Sequence, residues 1–510
     1  MKRALALLLL LAMLLSLCFS LASCKDKTPP EAPSYLDDFD YSTVPSALLR
    51  QKVAEIPKYY AVLCSQASIT TLNVVLAQIQ HLTSPVNPVE EARLAARLDD
   101  AVKGLENRVC DVDRVCIFSA QEFSTFEARD TYVDAEVHVL FKNGTDTKLE
   151  SNTGARIKLH GNSTLDAEKK SLTVKLSKKE NLFGFGKSKT WFLISNSFDK
   201  SLMRNALCYN FAATAGLSDS VQCEFVEVWY NNTYIGCYLA TEKAESGEGR
   251  LPIDETLGDY LIEYESDRYE AGTSYVYSPR LGLRFALIEP EEPTGEQLTA
   301  LRTSLASLED AILSGNRETL AAVCDVDSFI NFYVTSELFK TIDFAFSSTK
   351  FYCQSGVWHA GPVWDYDLSA GNVIVNPEAK YREYNNAVVK GESYGDGSGK
   401  SEHGIWCDEI WFKTLLEQSW FSDAVKARYL ELQPQIENLY KKNDLGASRI
   451  DAMLAAYGNA FDRNYTQAGW TLQRESVGRN TDGTFVGSVN YLRDWLKGRN
   501  EWLLAHWGLK

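Results

Sequence analysis

Apolar positions recur at helical spacing over residues 48–56, 72–82 and 94–105, and this pattern predicts three helices. Pro57 and the run 85–88 supply turns between them, and Asn87 before Pro88, with Glu90 and Glu91 in the first turn, is a helix start. Three such helices with short links make a small bundle over residues 42–108. From Arg114 the period shortens. Residues 115–118, 135–141 and 156–160 alternate or run apolar between polar turns and read as strands, with Asn143-Gly144 as a hairpin signal. Residues 156–217 then read as strand, small-residue loop, strand, loop, strand, and a helix capped at Ser197 or Asp199. A hairpin turning at Asn231-Asn232 ends on Glu242, and the strand LIEYESD carries Glu263, Glu265 and Asp267. After Pro290 and Pro293 the period is helical again, over 296–314, 317–323 and 327–340. The fold class this predicts is α+β, a β-rich half before a helical half, preceded by the bundle.

The two halves meet at residues 337–372, ELFKTIDFAFSSTKFYCQSGVWHAGPVWDYDLSAGN. Two alternating runs joined by Ser355-Gly356 form a β-hairpin, with Asp343 at its entrance and Asp365 and Asp367 past its exit. Acids at i and i+2 on an extended segment point the same way, and such a pair can hold a divalent cation through hard oxygen ligands. The same residues also suit a helix cap, an Asx-turn and a solvated loop acid.

Charge narrows the classes of partner. With 52 basic against 68 acidic residues the chain lacks the basic surface that nucleic acid requires, and its globular part has no grip for anionic lipid. No CxxC pair occurs and only six histidines are present, which argues against a zinc site. Cys110 with Cys116, and Cys223 with Cys237 across a hairpin, are near enough in sequence to bridge; the remaining cysteines suit core positions.

At the N-terminus, Lys2 and Arg3 precede an apolar run over residues 4–17, too short for a comfortable membrane span and of the form of a secretory signal over 1–23. It ends in Leu21-Ala22-Ser23-Cys24, which resembles the bacterial lipobox; the resemblance implies cleavage before Cys24 and diacylation of its thiol. A plain signal peptide also fits Ala22-Ser23. The polar, Pro-rich segment that opens residues 24–41 suits a tether. On this reading the protein is extracytoplasmic and touches the membrane through its lipid alone.

Further resemblances bear on function. NPVEEARLAARLDDAVKGLEN resembles the FIVAR-type helical modules of Gram-positive surface proteins. HGNSTLDAEKKSLTVKL, WFLISNSFDKSLMRNALCYNFAATAGL, VWYNNTYIGCYLATEK, GDYLIEYES, DVDSFINFYVTSELFKTIDFAFSSTKFY, PVWDYDLSAGN and VNYLRDWLKGRNEWLLAHW resemble, in order, the blocks of the CotH family of spore-coat kinases over residues 115–507. The resemblance implies a two-lobed, divergent protein-kinase-like fold. It also implies transfer of phosphate, or another group, from Mg-ATP to a surface or coat protein or a glycan. Phosphoryl transfer needs a cation on the phosphates, positive charge for their oxygens and an acid to orient the acceptor hydroxyl. By the family match Asp343 is that acid, Asp365 holds Mg²⁺ and Asp367 assists. Lys170 is the candidate phosphate lysine, Glu242 its partner or a residue of the nucleotide hinge, and Asn162 and Ser163 a loop close to phosphate. Lys169, Lys170 and Lys175 equally suit a solvated strand edge, Glu242 a solvated strand end, and the 161–163 loop an ordinary turn. Where the family has Arg before Gly161 this chain has His160, and Leu165 stands for the family's aromatic. Ser347, Ser348, Thr349 and Lys350 stand where the family's second-metal Asn is expected. That departure makes a weak or inactive pseudokinase, serving as a surface scaffold or adhesin, the alternative. The aperiodic stretch 376–403 suits a lid or an activation-loop analogue.

Overall fold

The computed structural model describes residues 39–56, 60–126, 131–144, 154–247, 249–266, 269–270, 272–372, 405, 410–473, 475 and 481–510. The signal segment, Cys24 and the 376–403 stretch lie outside them. The chain divides into two compact units, residues 1–108 and 109–510. No helix among the described residues is long and apolar enough to cross a membrane.

In the first unit the helices are α1 (Ala47–Ala54), α2 (Gln66–Gln80) and α3 (Pro88–Lys103), with a short turn of helix at Tyr60–Leu63. Each long helix starts on a side-chain cap, and Asn87 accepts the Val89 N–H at 2.9 Å, as the Asn-Pro signal predicts. Leu49, Val53, Ile69, Leu72, Leu76, Leu94 and Leu98 close a common core.

The second unit begins with a closed barrel of seven strands: β1 (Asp113–Phe118), β2 (Val133–Leu140), β3 (Ala155–His160), β4 (Ser171–Glu180), β5 (Ser188–Ile194), β6 (Cys223–Tyr230) and β7 (Thr233–Glu242). Their order around the barrel is β1-β2-β3-β4-β5-β7-β6. β1 closes it, antiparallel to β2 and parallel to β6. Alternate residues fill the interior, among them Val115, Ile117, Val137, Ile157, Leu172, Val174, Trp191, Leu193 and Tyr238. The turn at Asn231 and Asn232 has φ of 44° and 65° with Tyr230 opposite Thr233, the two left-handed residues that a tight hairpin demands. At Asn143-Gly144 the chain turns, Gly144 N–H donating to Phe141 O at 2.8 Å, and β2 pairs antiparallel with β3, Val133 opposite Ile157. The β6–β7 register does not favour a bridge: Cys223 lies opposite Thr241 and Cys237 opposite Glu227, and both remain thiols.

α4 (Arg204–Thr214) lies between β5 and β6 in sequence. Past the barrel, β8 (Tyr260–Tyr264), β9 (Ser274–Tyr277), β10 (Arg284–Glu289), β11 (Thr349–Gln354) and β12 (Val357–Ala360) form an antiparallel sheet in the order β12-β11-β8-β10-β9. The main helices of this half are α5 (Gly295–Ser314), α6 (Val326–Phe339), α7 (Ser419–Glu431), α8 (Gln433–Tyr440), α9 (Arg449–Thr466) and α10 (Phe485–His506). The expected α+β class holds. In α6 every residue but Asp327 is buried, so its apolar residues face inward on all sides and its polar ones, Ser336 and Glu337 among them, are satisfied by internal hydrogen bonds.

Candidate functional site

The hairpin of β11 and β12 turns at Ser355 and Gly356, with Gln354 opposite Val357, and delivers the chain into the loop 363–372. That loop is held on two sides. From α4, Arg204 donates through Nε to Ser369 O at 3.0 Å and through Nη2 to Ala370 O at 3.2 Å. Asn205 Oδ1 accepts the Tyr366 N–H at 2.6 Å, and Tyr209 OH accepts that of Asp365 at 3.2 Å. From α6, Phe339 O accepts the Ala370 N–H at 2.6 Å, and Ser336 shares a 2.7 Å hydrogen bond with Tyr366 OH. Asn372 closes the loop, donating to Asp367 O at 2.8 Å and to Phe198 O at 2.9 Å. At Gly371 (φ 74°) an added Cβ would lie 2.4 Å from the Trp495 ring of α10, so only glycine lets that helix pack so close.

Four aspartates lie on or beside this loop and act on one another through their charge. Asp343 sits half-buried in the turn after α6, Asp365 half-buried in the loop, and Asp367 is 6 % exposed. Burial holds the Asp367 carboxyl well above the usual carboxylate range, and the negative charges of Asp365, Asp343 and Asp199 push it further. Asp199 is fully buried; it pairs with Arg204 and accepts the Arg204 and Ser201 N–H groups at 2.8 and 2.9 Å. Asp365 and Asp367 are therefore close, but not by the expected route. Asp365 has φ of 63°, in the left-handed region, so the extended-strand rule does not apply and the two acids differ in exposure. Ser348 Oγ lies 3.4 Å from Asp365 Oδ2. No group of three or more His, Cys, Asp or Glu that could hold a metal by itself occurs among the described residues.

The loop carrying Asn162 and Ser163 reaches this region through a row of rings. His160 stacks on Phe192 at 4.2 Å, Phe192 meets Trp364 at 5.7 Å, and Trp364 lies parallel to Tyr209 at 6.1 Å. Asn162 is exposed and Ser163 half-buried; Gly161 before them has φ of 99°, and a Cβ there would lie 2.1 Å from Thr164 Oγ1. Lys170 does not turn toward the acids: its Nζ is bonded to Leu165 O and, at 2.6 Å, to Ala167 O, closing its own loop. Its neighbour Lys169 is no solvated edge residue either. It is buried, donating to Ser195 O at 3.0 Å, Asn464 Oδ1 at 2.8 Å and Cys237 O, and burial draws its pKa down to about 7. Lys350 lies opposite Glu263 of β8 and pairs with it.

Glu242 is neither the partner of Lys170 nor a solvated strand end. It is buried at 5 %, lies 3.4 Å from Arg250, and accepts the Gln222 N–H at 3.0 Å. Residues 243–247, after Glu242, are irregular, and no periodicity announces their course. Together with Ser218, Asp219, Gln222 and Pro362, Glu242 and Arg250 line a cavity of about 260 Å³. Desolvation pushes the Glu242 carboxyl from an ordinary 4.5 up to about 7, against the pull of Gln222 N–H and Arg250. The folded chain thus binds this proton more tightly than the unfolded chain, and stability falls as pH rises from about 4.5 through 7. Glu242→Gln should remove that loss, so melting temperatures followed from pH 4.5 to 7 should slope less in the variant than in wild type; identical slopes would place the proton on another group.

Sequence reasoning passed over Asp199, Arg204, Asn205 and Tyr209 as site residues. The signal is the run from Asn196 to Asn205, which the sequence offers as a helix cap and as part of a family block; the helix itself starts at Arg204, after the N-cap Met203, and not at Ser197 or Asp199.

Barrel, helical layers and acid-bearing loop together define an α+β protein whose carboxylates sit where the loop after β12 meets α4 and α6. Residues 157–503 match the family described as CotH kinase protein, and the chain belongs to the CotH family. No curated protein matches the chain.

Proposed function

We propose that the protein is an exported, lipid-anchored phosphotransferase of atypical kinase type, two-lobed in the kinase manner, that uses Mg-ATP to modify a surface protein or glycan. The observation that carries the reading is the acid cluster. The negative charges of Asp343, Asp365 and Asp199 all act on the buried Asp367, and Asp199 is paired with Arg204. A concentration of negative charge on a loop fixed from two helices fits a divalent cation, and Mg²⁺ is usually held by one or two carboxylates with substrate phosphates completing its shell. Asp365 and Asp367 would hold it, and the ion would supply charge neutralisation on the phosphates. Asp343 accepts the proton of, and orients, the acceptor hydroxyl. The cavity beside Glu242 shares Pro362 with the approach to the acid loop and suits the base end of the nucleotide, while Asn162 and Ser163 face the phosphates. Lys170 shapes that loop instead of meeting phosphate.

A second reading has its own observation. Lys169, Lys170, Lys200 and Lys350 are all engaged internally, by carbonyl groups, by Glu475 or by Glu263, which leaves none of these four for the phosphates and favours a non-catalytic surface scaffold. Calorimetric titration of the protein with ATP, with and without Mg²⁺, separates the two. Magnesium-dependent binding supports the enzyme, and its absence at millimolar ATP leaves the scaffold.

A further inference from the structure

The edge of the five-stranded sheet carries a groove that the acid loop does not use. It has a volume of about 620 Å³, within the range of small-ligand sites, and Ser266, Tyr269, Tyr277, Leu281, Arg284 and Thr414 are among the residues that line it. Tyr269 is 67 % and Tyr277 53 % exposed, unusual for rings of this size. They are nevertheless fixed. Their hydroxyls share a 2.6 Å hydrogen bond, the Arg284 guanidinium lies 3.9 Å from the centre of the Tyr269 ring, and Tyr275 meets that ring at 5.1 Å. Arg284 is itself buried, and its Nε donates to Glu265 O at 2.7 Å. Its charge is thereby engaged by rings and carbonyl, so it serves to hold the rings and does not call for an anion. One lining residue, Ser266, is tied through the backbone to the turn that carries the candidate acid. Ser266 N–H donates to Phe346 O at 2.9 Å, and Phe346 N–H donates to Asp343 O at 2.9 Å.

We infer that this groove binds a neutral oligosaccharide and, resting on the phosphotransfer reading above, presents its hydroxyls on the acceptor side of Asp343. The chemistry of the lining selects this class. Rigid tyrosine faces offer large amphipathic contact area at small entropic cost, which suits the C–H faces of pyranose rings. The hydroxyls of Tyr269, Tyr277, Ser266 and Thr414 supply the donors and acceptors that sugar hydroxyls need. Leu281, Leu283 and Ile410 are the aliphatic part of the lining, too little for an aliphatic ligand, and Lys413 adds an ammonium that can donate to sugar hydroxyls. Because the rings are fixed before any ligand arrives, binding would cost little reorganisation.

The test uses the full chain without nucleotide, so that it is independent of phosphotransfer. Cellohexaose, maltohexaose and chitohexaose are titrated while tyrosine fluorescence and heat are followed, beside a Ser/Thr-rich peptide as the competing occupant. At least one sugar should bind. Tyr269→Ala should weaken it on the order of tenfold, and Tyr269→Phe, which keeps the ring, should stay within about threefold of wild type. Melting curves verify that each variant is folded; should Tyr269→Ala fail to fold, Tyr277→Ala takes its place. Failure of all three sugars at 10 mM (~10 mM, the weak limit for a single site), affinity untouched by loss of the ring, or peptide binding in place of sugar each overturns the inference. Sugar binding in a protein that ignores Mg-ATP would instead retain the groove and remove phosphotransfer, so the two failures are distinct.

Discussion

Asp365→Asn is expected to weaken magnesium-dependent ATP binding by at least about tenfold, because it removes a charged oxygen from the ligand pair. Asparagine tolerates left-handed φ better than most residues, so the variant should keep its fold and its melting temperature. Asp343→Asn should part company with it. An acid that orients a hydroxyl contributes mainly in the transition state, so nucleotide affinity should stay near wild type while turnover falls by about 10²-fold or more. Titration calorimetry for binding and phosphate transfer for turnover read the two effects separately. Equal loss of binding in both variants, or a lowered melting temperature with unchanged binding, would contradict the division of labour.

The largest effect on stability should come from Arg499→Met. Arg499 on α10 and Glu337 on α6 are 0 % and 1 % exposed and form an ion pair; Arg499 also donates to Glu337 O from Nε at 3.0 Å and from Nη2 at 2.8 Å. Glu337 is further bonded by Tyr333 OH and, at 2.9 Å, by the Ile405 N–H. Removing one member of a buried pair strands the other without compensation, at a cost of about 3–5 kcal/mol. α6 ends at Phe339, so the pair also steadies the turn that carries Asp343. Denaturant unfolding of Arg499→Met should show the loss, and adding Glu337→Gln should restore part of it. A double variant no better than the single would mean that lost packing, including the contact of Arg499 with the Trp502 ring at 4.9 Å, dominates over the stranded charge.

Most elements were legible because their periods are strong: the bundle helices, α5, α6 and the hairpins at Asn231-Asn232 and Ser355-Gly356 each follow from apolar spacing or a turn signal. The acids of the hairpin were legible as chemistry, since carboxylates between apolar residues are uncommon without a reason. Which lysine faces inward was not. Lys169 and Lys170 are neighbours at the entry to β4, and the choice between them is made by Ser195, Cys237 and Asn464, the last contributed from α9 far along the chain. The pairing of Glu242 with Arg250 and the hold of Arg204 on Ser369 and Ala370 depend likewise on loops whose course only the packed structure fixes.

The closing strand of the barrel lies before the residues that match the family model. β1 and β2 end at Leu140, whereas the matched residues begin at 157. A chain trimmed to the matched span would lose both staves and leave β3 and β6 each with one bare flank of N–H and C=O groups, a template for joining other chains. Such a fragment should aggregate as its concentration rises, with β-rich assemblies as the product.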